Sequence, residues 1–136
     1  MRDPKDPEKK QWFSKWLESK GFTNINITTD FYDIIDITAD YGTVHYIFEL
    51  KNRPCDSELY GDSIMDTGKY HKMIKMDGEK RLVNFFEDCF YIVDIVKDQR
   101  DIQDFYCQKS NTIAAPKVPK KLVSFQHKQE NKHLYL

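Results

Sequence analysis

Residues 32–53 read YDIIDITADYGTVHYIFELKNR. Two runs rich in β-branched and aromatic residues flank a polar turn at residues 40–42, which is the pattern of a β-hairpin. The second run, VHYIF, is followed by Glu49, Leu50 and Lys51. Because side chains alternate between the faces of a strand, Glu49 and Lys51 project to one side and Leu50 to the other. Two charged groups on an apolar strand require a polar cleft, since burial without partners is costly.

A second carboxylate precedes the turn of this hairpin. Asp33 opens the first apolar run and Asp36 follows three positions later, so the two point to opposite faces of a regular strand. At most one of them easily joins Glu49; we take Asp33 first, with Asp36 as its competitor. Two carboxylates bind a hard divalent cation, Mg²⁺ or Mn²⁺, and the Leu50 carbonyl can add a ligand. Lys51 would then orient a bound water and stabilise charge on a phosphate.

This pattern resembles the PD-(D/E)XK nuclease superfamily. Its motif is an Asp at the start of an apolar strand, a hairpin, and a second apolar strand that ends in (D/E)-x-K. Asp33 with DIIDIT and the ELK of VHYIFELK carry the resemblance, which covers roughly residues 8–98. Tyr32 stands where the family often has Pro. The resemblance implies a restriction-endonuclease-like core, an α+β or α/β fold with a central mixed sheet flanked by helices in the order αβββαβ.

The resemblance also implies an activity and a site. It implies a Mg²⁺-dependent deoxyribonuclease, an endonuclease, that cuts phosphodiester bonds with a metal-activated water. The expected metal ligands are Asp33, Glu49, the Leu50 carbonyl and Glu8 of the first helix, where Glu18 is the other choice. The expected catalytic residues are Asp33, Glu49, Lys51 and Lys69. Arg53 and Tyr70 are further candidates for contact with a phosphate.

Two other functions remain open. The same fold can serve as an inactive nuclease-like module that binds nucleic acid or a protein partner through the basic C-terminal segment. Independently of the fold, Glu49 and Lys51 can be an exposed edge-strand pair and form no nuclease site. A small-molecule enzyme is the third alternative, although no nucleotide-binding glycine-rich loop is present in the sequence. For the nuclease, the expected partner is DNA, which is bound by a single subunit or by a homodimer. No nucleotide cofactor is expected.

Length and composition favour one domain. The 136 residues suit a single domain, residues 1–136, with a basic segment at 109–136 that contains six lysines and one glutamate. Apolar periodicity predicts helices at residues 6–20 and 63–76, and a central strand at 89–96. The strands predicted after it are IQDFYCQ, paired with that strand, and KLVSFQH, closing the same sheet.

Composition also bears on the location of the protein. No apolar run approaches the ~20 residues that span a bilayer. Three cysteines without metal spacing favour a reducing compartment. We therefore expect a cytoplasmic protein without a membrane partner, and the small single domain is typical of a phage or mobile-element product in an infected host.

Overall fold

The computed structural model describes residues 6–28, 35–108 and 117–135. Within these ranges there are two α-helices, α1 (Asp6–Ser19) and α2 (Thr67–Ile74). The strands are β1 (Thr23–Ile27), β2 (Ile37–Tyr41), β3 (Val44–Asn52), β4 (Asp62–Asp66), β5 (Glu79–Phe85), β6 (Phe90–Asp94), β7 (Gln99–Gln108), β8 (Lys117–Gln126) and β9 (Lys132–His133). Short 3-10 helices lie at Ser57–Leu59 and Gln129–Asn131.

The described strands form two sheets. The larger sheet has six strands in the order β1-β2-β3-β5-β6-β9, and the smaller has three in the order β4-β8-β7. Strands β3 and β5 run parallel, whereas the other pairs are antiparallel. A parallel pair needs a crossover connection, and here β4 and α2 supply it.

Each face of the larger sheet is covered by its own core. On one face, α1 buries Phe13 and Leu17 against Phe48 and Phe90. On the other face lies a second core, formed by residues of α2, of the larger sheet and of the smaller sheet: Tyr70, Met73, Leu82, Val123 and Phe125. Because side chains alternate along β3, Phe48 faces α1 and its neighbour Glu49 is directed to the side of α2.

The predicted fold class is confirmed. The protein is a mixed α+β fold, and the order αβββαβ is present with β4 inserted before α2. The helix predicted at residues 6–20 is α1, which ends before Gly21. Gly21 has φ of +96°, a left-handed conformation that glycine adopts without steric cost. The turn of the β2–β3 hairpin likewise uses Gly42, at φ of +62°.

The helix predicted at residues 63–76 is wrong in its first part. Asp62–Asp66 forms β4, and α2 begins only at Thr67. Ser63 and Met65 are buried and alternate with half-buried neighbours, as in a strand. The carboxylate of Asp66 accepts the Gly68 N–H at 2.8 Å and caps the helix, which fixes its start.

The positions predicted for three further strands within the sheet are wrong. The strand predicted at 89–96 exists as β6, but the centre of the sheet is the β3–β5 pair, and β6 lies next to the edge strand β9. Strand β7 pairs with β8 and not with β6. Strand β8 pairs with β4 and belongs to the smaller sheet. None of the described helices is both long and apolar enough to cross a membrane.

Candidate active site

Backbone pairing at the start of β2 places a carboxylate opposite Glu49. Ile37 pairs with Phe48, and Asp36 N–H donates to the Phe48 carbonyl at 2.9 Å. Asp36 Oδ2 in turn accepts the N–H of Leu50 at 2.7 Å. Asp33 lies outside the described residues. Among the described residues, the carboxylate brought to Glu49 is that of Asp36, the competitor named in the sequence, and the role of Asp33 stays a prediction.

Glu49 is buried in this place and paired with a lysine of α2. It is 4% exposed, and Lys69 Nζ donates to its Oε1 at 2.9 Å. Burial raises the pKa of Glu49 to about 7, and the charge of Asp36 adds to that rise. The ion pair and hydrogen bond with Lys69, and then the charge of Lys51, hold this pKa down. Near neutral pH the carboxyl group is therefore balanced between its two protonation states.

Lys10 is a member of the site that sequence reasoning missed. Its Nζ lies 3.2 Å from Asp36 Oδ1 and donates to the Thr28 carbonyl at 3.3 Å, and the residue is only 7% exposed. A signal existed: Lys10, Phe13 and Leu17 follow the spacing of one helix face, so a lysine lies on the buried stripe of α1.

Glu8 lies elsewhere on the same helix. It is exposed and precedes Lys10 by two residues, which is about 200° around the helix axis. The structure thus brings Lys10 of α1 to the carboxylates, and it does not bring Glu8. Glu18, the other candidate on this helix, is also exposed.

Five side chains form what we call the acid–lysine cluster: Asp36, Glu49, Lys10, Lys51 and Lys69. Lys51 is half-buried and lines a small cavity of about 10 Å³ together with Lys9, Lys10, Asp36, Leu50, Asn52 and Phe85. This volume suits roughly one water-sized species. The cluster has three ammonium groups and two carboxyl groups, so its charge favours an anionic ligand such as a phosphate.

The donor set fits a hard divalent cation. No group of three or more His, Cys, Asp or Glu side chains that could enclose a metal occurs in the described ranges. Asp36 and Glu49 nevertheless lie together, and the Leu50 carbonyl is the adjacent oxygen of β3. Mg²⁺ commonly binds through one or two carboxylates and completes its shell with water and substrate phosphate oxygens. The residues therefore suit a cation that takes its remaining ligands from water and from substrate phosphate oxygens.

Comparison with known proteins shows a likeness to a solved structure. No protein-family model matches the sequence, and no curated protein matches it. The structure is similar to that of Hjc, a Holliday junction resolvase from the archaeal hyperthermophile Archaeoglobus fulgidus, solved at 1.6 Å resolution. The TM-score is 0.63 with 11% sequence identity, over 90% of this chain and 84% of that chain. At this identity the likeness establishes the fold, which matches the restriction-endonuclease-like core.

Proposed function

We propose that the protein is a metal-dependent nuclease that hydrolyses phosphodiester bonds of DNA. One observation carries the proposal: the charge of Asp36, which immediately precedes β2, acts on Glu49 of β3, and the ammonium groups of three lysines lie beside these two carboxylates. The fold shared with a Holliday junction resolvase supports it. Burial of this many ionisable groups is costly, and a set of charges kept at one end of a strand pair is typical of a reactive site.

Each residue of the cluster has a role in this proposal. Asp36, Glu49 and the Leu50 carbonyl hold the cation, which when bound acts as a Lewis acid on the phosphate and on a water. Lys51 lies on the strand of Glu49 and orients the attacking water. Lys10 fixes the Asp36 carboxylate through its ion pair at 3.2 Å.

Lys69 is suited to change partners during the reaction. Its side chain is 31% exposed, whereas that of Lys10 is 9% exposed. Lys69 can therefore leave Glu49 when the cation arrives and donate to a phosphate oxygen, where charge builds up in the transition state. Lys10, which is buried, keeps its place beside Asp36.

We further propose that DNA is cut internally, by one subunit or by a homodimer. A known protein with a similar fold is a Holliday junction resolvase, so branched DNA belongs among the first substrates to test. The excess of ammonium groups in the cluster would attract the phosphate backbone.

A cutting assay tests the proposal directly. Plasmid, single-stranded DNA, a four-way junction and RNA are incubated with Mg²⁺ or Mn²⁺ and compared with EDTA. We expect metal-dependent cutting that Lys51→Ala lowers by about 100-fold or more, as for the loss of a group that stabilises the transition state. Lys72→Ala is the matched control, because Lys72 is exposed on α2. Cutting unaffected by Lys51→Ala, or none with any substrate, would refute the proposal.

The ion pairs favour a second candidate, a nuclease-like module that binds nucleic acid or a protein without cutting. Asp36 is paired with Lys10 and Glu49 with Lys69, so each carboxylate already has a cation beside it. In that case wild type and Lys51→Ala would bind DNA in a gel-shift assay and neither would cut it with either metal.

A further inference from the structure

A second and larger cavity adjoins the acid–lysine cluster. It has a volume of about 120 Å³ and is lined by Arg53, Tyr60, Asp62, Ile64, Asn84 and Phe86. Asn84 on β5 pairs with Lys51 on β3, so the cavity begins about one strand spacing, ~5 Å, from the Lys51 backbone. A water molecule occupies about 30 Å³ of liquid, and the cavity therefore exceeds the need of one water.

A chain of hydrogen bonds orients the Asn84 amide. His127 Nδ1 lies 3.2 Å from the Tyr60 carbonyl, which can only accept, so this nitrogen carries the proton. His127 Nε2 then accepts from the Ser63 hydroxyl at 2.6 Å. Ser63 Oγ in turn accepts from Asn84 Nδ2 at 2.9 Å. Burial lowers the pKa of His127, which favours the neutral imidazole that these hydrogen bonds require.

This series of hydrogen bonds uses the amide nitrogen of Asn84 and leaves its amide oxygen without a donor. Asn84 is 3% exposed, and its Oδ1 has no hydrogen-bond partner within the described part of the protein. A buried acceptor without a donor is disfavoured, and the cavity that Asn84 lines is the adjoining space from which a donor can come. Asp62 adds a second acceptor to this wall, held by Arg100 at 3.3 Å. The cavity is therefore suited to a ligand with N–H donors.

The other walls suit a flat ring attached to a phosphate. Tyr60 and Phe86 stack with ring centroids 6.3 Å apart at 29°, and Tyr60 is 52% exposed. Nucleobases stack on such aromatic rings. Arg53 is half-buried two residues beyond Lys51, and its guanidinium makes no ion pair with a described residue. A phosphate oxygen is a natural partner for it.

We infer that this cavity receives an unpaired nucleobase bearing an exocyclic amino group, from the nucleotide next to the phosphate at the acid–lysine cluster. The inference rests on the proposed nuclease function. The amino group donates to Asn84 Oδ1 and to the Asp62 carboxylate, and the ring stacks on Tyr60. Arg53 binds the adjoining phosphate. Because a paired base must first leave its stack, DNA with an unpaired base beside the cut is preferred over a continuous duplex.

Binding of two oligonucleotides in EDTA tests the inference. One duplex carries a single bulged cytosine, and the other carries an abasic site at the same position. We expect fluorescence anisotropy to show about tenfold tighter binding of the cytosine duplex, the size of a stacking contact. Tyr60→Ala and Asn84→Leu abolish this preference. Leu59→Ala keeps it, because Leu59 is 70% exposed and does not line the cavity.

The inference and the proposed function fail separately in this design. Equal binding of both duplexes by a wild type that cuts DNA overturns the cavity assignment and leaves the nuclease intact. A preference without cutting refutes the nuclease and supports the cavity assignment. Absence of binding to either duplex overturns the cavity assignment, and the cutting assay alone decides the nuclease. A preference that survives in both variants also overturns the assignment. Tyr60→Ala alters an exposed side chain, so its result stands even where Asn84→Leu fails to fold.

Discussion

At the scale of single residues, Glu49 makes the stability of the protein depend on pH. Its pKa is raised from 4.5 to about 7 in the folded state. The folded protein therefore binds more protons than the unfolded chain between these values. Stability from this group is complete below about pH 4.5 and is lost as pH rises through 7. Between pH 5 and pH 8 the free energy of unfolding should fall by roughly 2–3 kcal/mol on this account.

Glu49→Gln removes that dependence, since the amide does not titrate. In urea unfolding the variant should gain stability relative to wild type from pH 5 to pH 8, by the same 2–3 kcal/mol or so. Glu18→Gln is the control because Glu18 is exposed on α1. A constant difference between Glu49→Gln and wild type across this range would contradict the assigned burial.

Lys10 gives a second prediction at this scale, with two effects of opposite sign. Lys10→Met leaves the Asp36 carboxylate buried without its cation and should lower the free energy of unfolding by about 3 kcal/mol. It should also raise the affinity for Mg²⁺ in titration calorimetry, because a nearby ammonium group that repels the cation is gone. Lys15→Met, at an exposed position of α1, should change neither. Weaker Mg²⁺ binding by Lys10→Met would mean that fixing the Asp36 carboxylate outweighs the repulsion between Lys10 and the cation.

The sequence predicts some of these residues and not others, for physical reasons. Alternation along β3 is enough to place Glu49 with Lys51. It cannot choose between Asp33 and Asp36, because the choice depends on the register between β2 and β3. The register of the described residues puts Ile37 against Phe48 and hence Asp36 beside Glu49, whereas Asp33 lies outside those residues. The sequence also does not predict that Asn84 lies next to Lys51. That position follows from the parallel pairing of β3 with β5, which the order of strands along the chain does not specify.

At the scale of elements, the start of α2 positions Lys69. The Asp66 carboxylate accepts the N–H groups of Gly68 at 2.8 Å and of Lys69 at 3.4 Å. Asp66→Ala should therefore lower the free energy of unfolding by about 1 kcal/mol. It should also reduce any metal-dependent cutting, because the first turn that carries Lys69 loosens.

A pair of variants separates the cap from a general effect of charge. Asp66→Asn keeps an oxygen that caps the helix and should recover most of the stability and of the cutting. Asp77→Ala, at an exposed position after α2, should have little effect on either. Cutting that stays at the wild-type rate in Asp66→Ala would show that the cap does not position Lys69.

Element boundaries illustrate where pattern and tertiary structure diverge. Residues 63–76 contain apolar residues at spacings that a helix or a strand can accommodate. Residues up to Asp66 form a strand because β4 pairs with β8, and the paired residues are about 60 positions apart in the sequence. Local periodicity carries no information on such a distant partner strand. For α1 the periodicity is sufficient, because the apolar stripe that it predicts is the face that buries Phe13 and Leu17.

At the scale of the whole molecule, the acid–lysine cluster gathers groups from both sides of the sheet. Lys10 comes from α1, which covers one face, and Lys69 comes from α2 on the other. Asp36 and Glu49 are contributed by the sheet between them, near the start of β2 and the end of β3. The site therefore exists only when the two helices and the sheet are assembled, and any ligand that binds it should stabilise the entire fold.

Mg²⁺ should accordingly stabilise the protein against heat, and more strongly at high pH. A cation and a proton compete for the Glu49 carboxylate, whose pKa is about 7. Apparent Mg²⁺ affinity should thus be about tenfold weaker at pH 6 than at pH 8. The measurement is the change in Tm with MgCl₂ at each pH, with NaCl of equal ionic strength as control. Glu49→Gln should lose both the stabilisation and its pH dependence. An equal rise in Tm at pH 6 and pH 8 would place the cation away from Glu49.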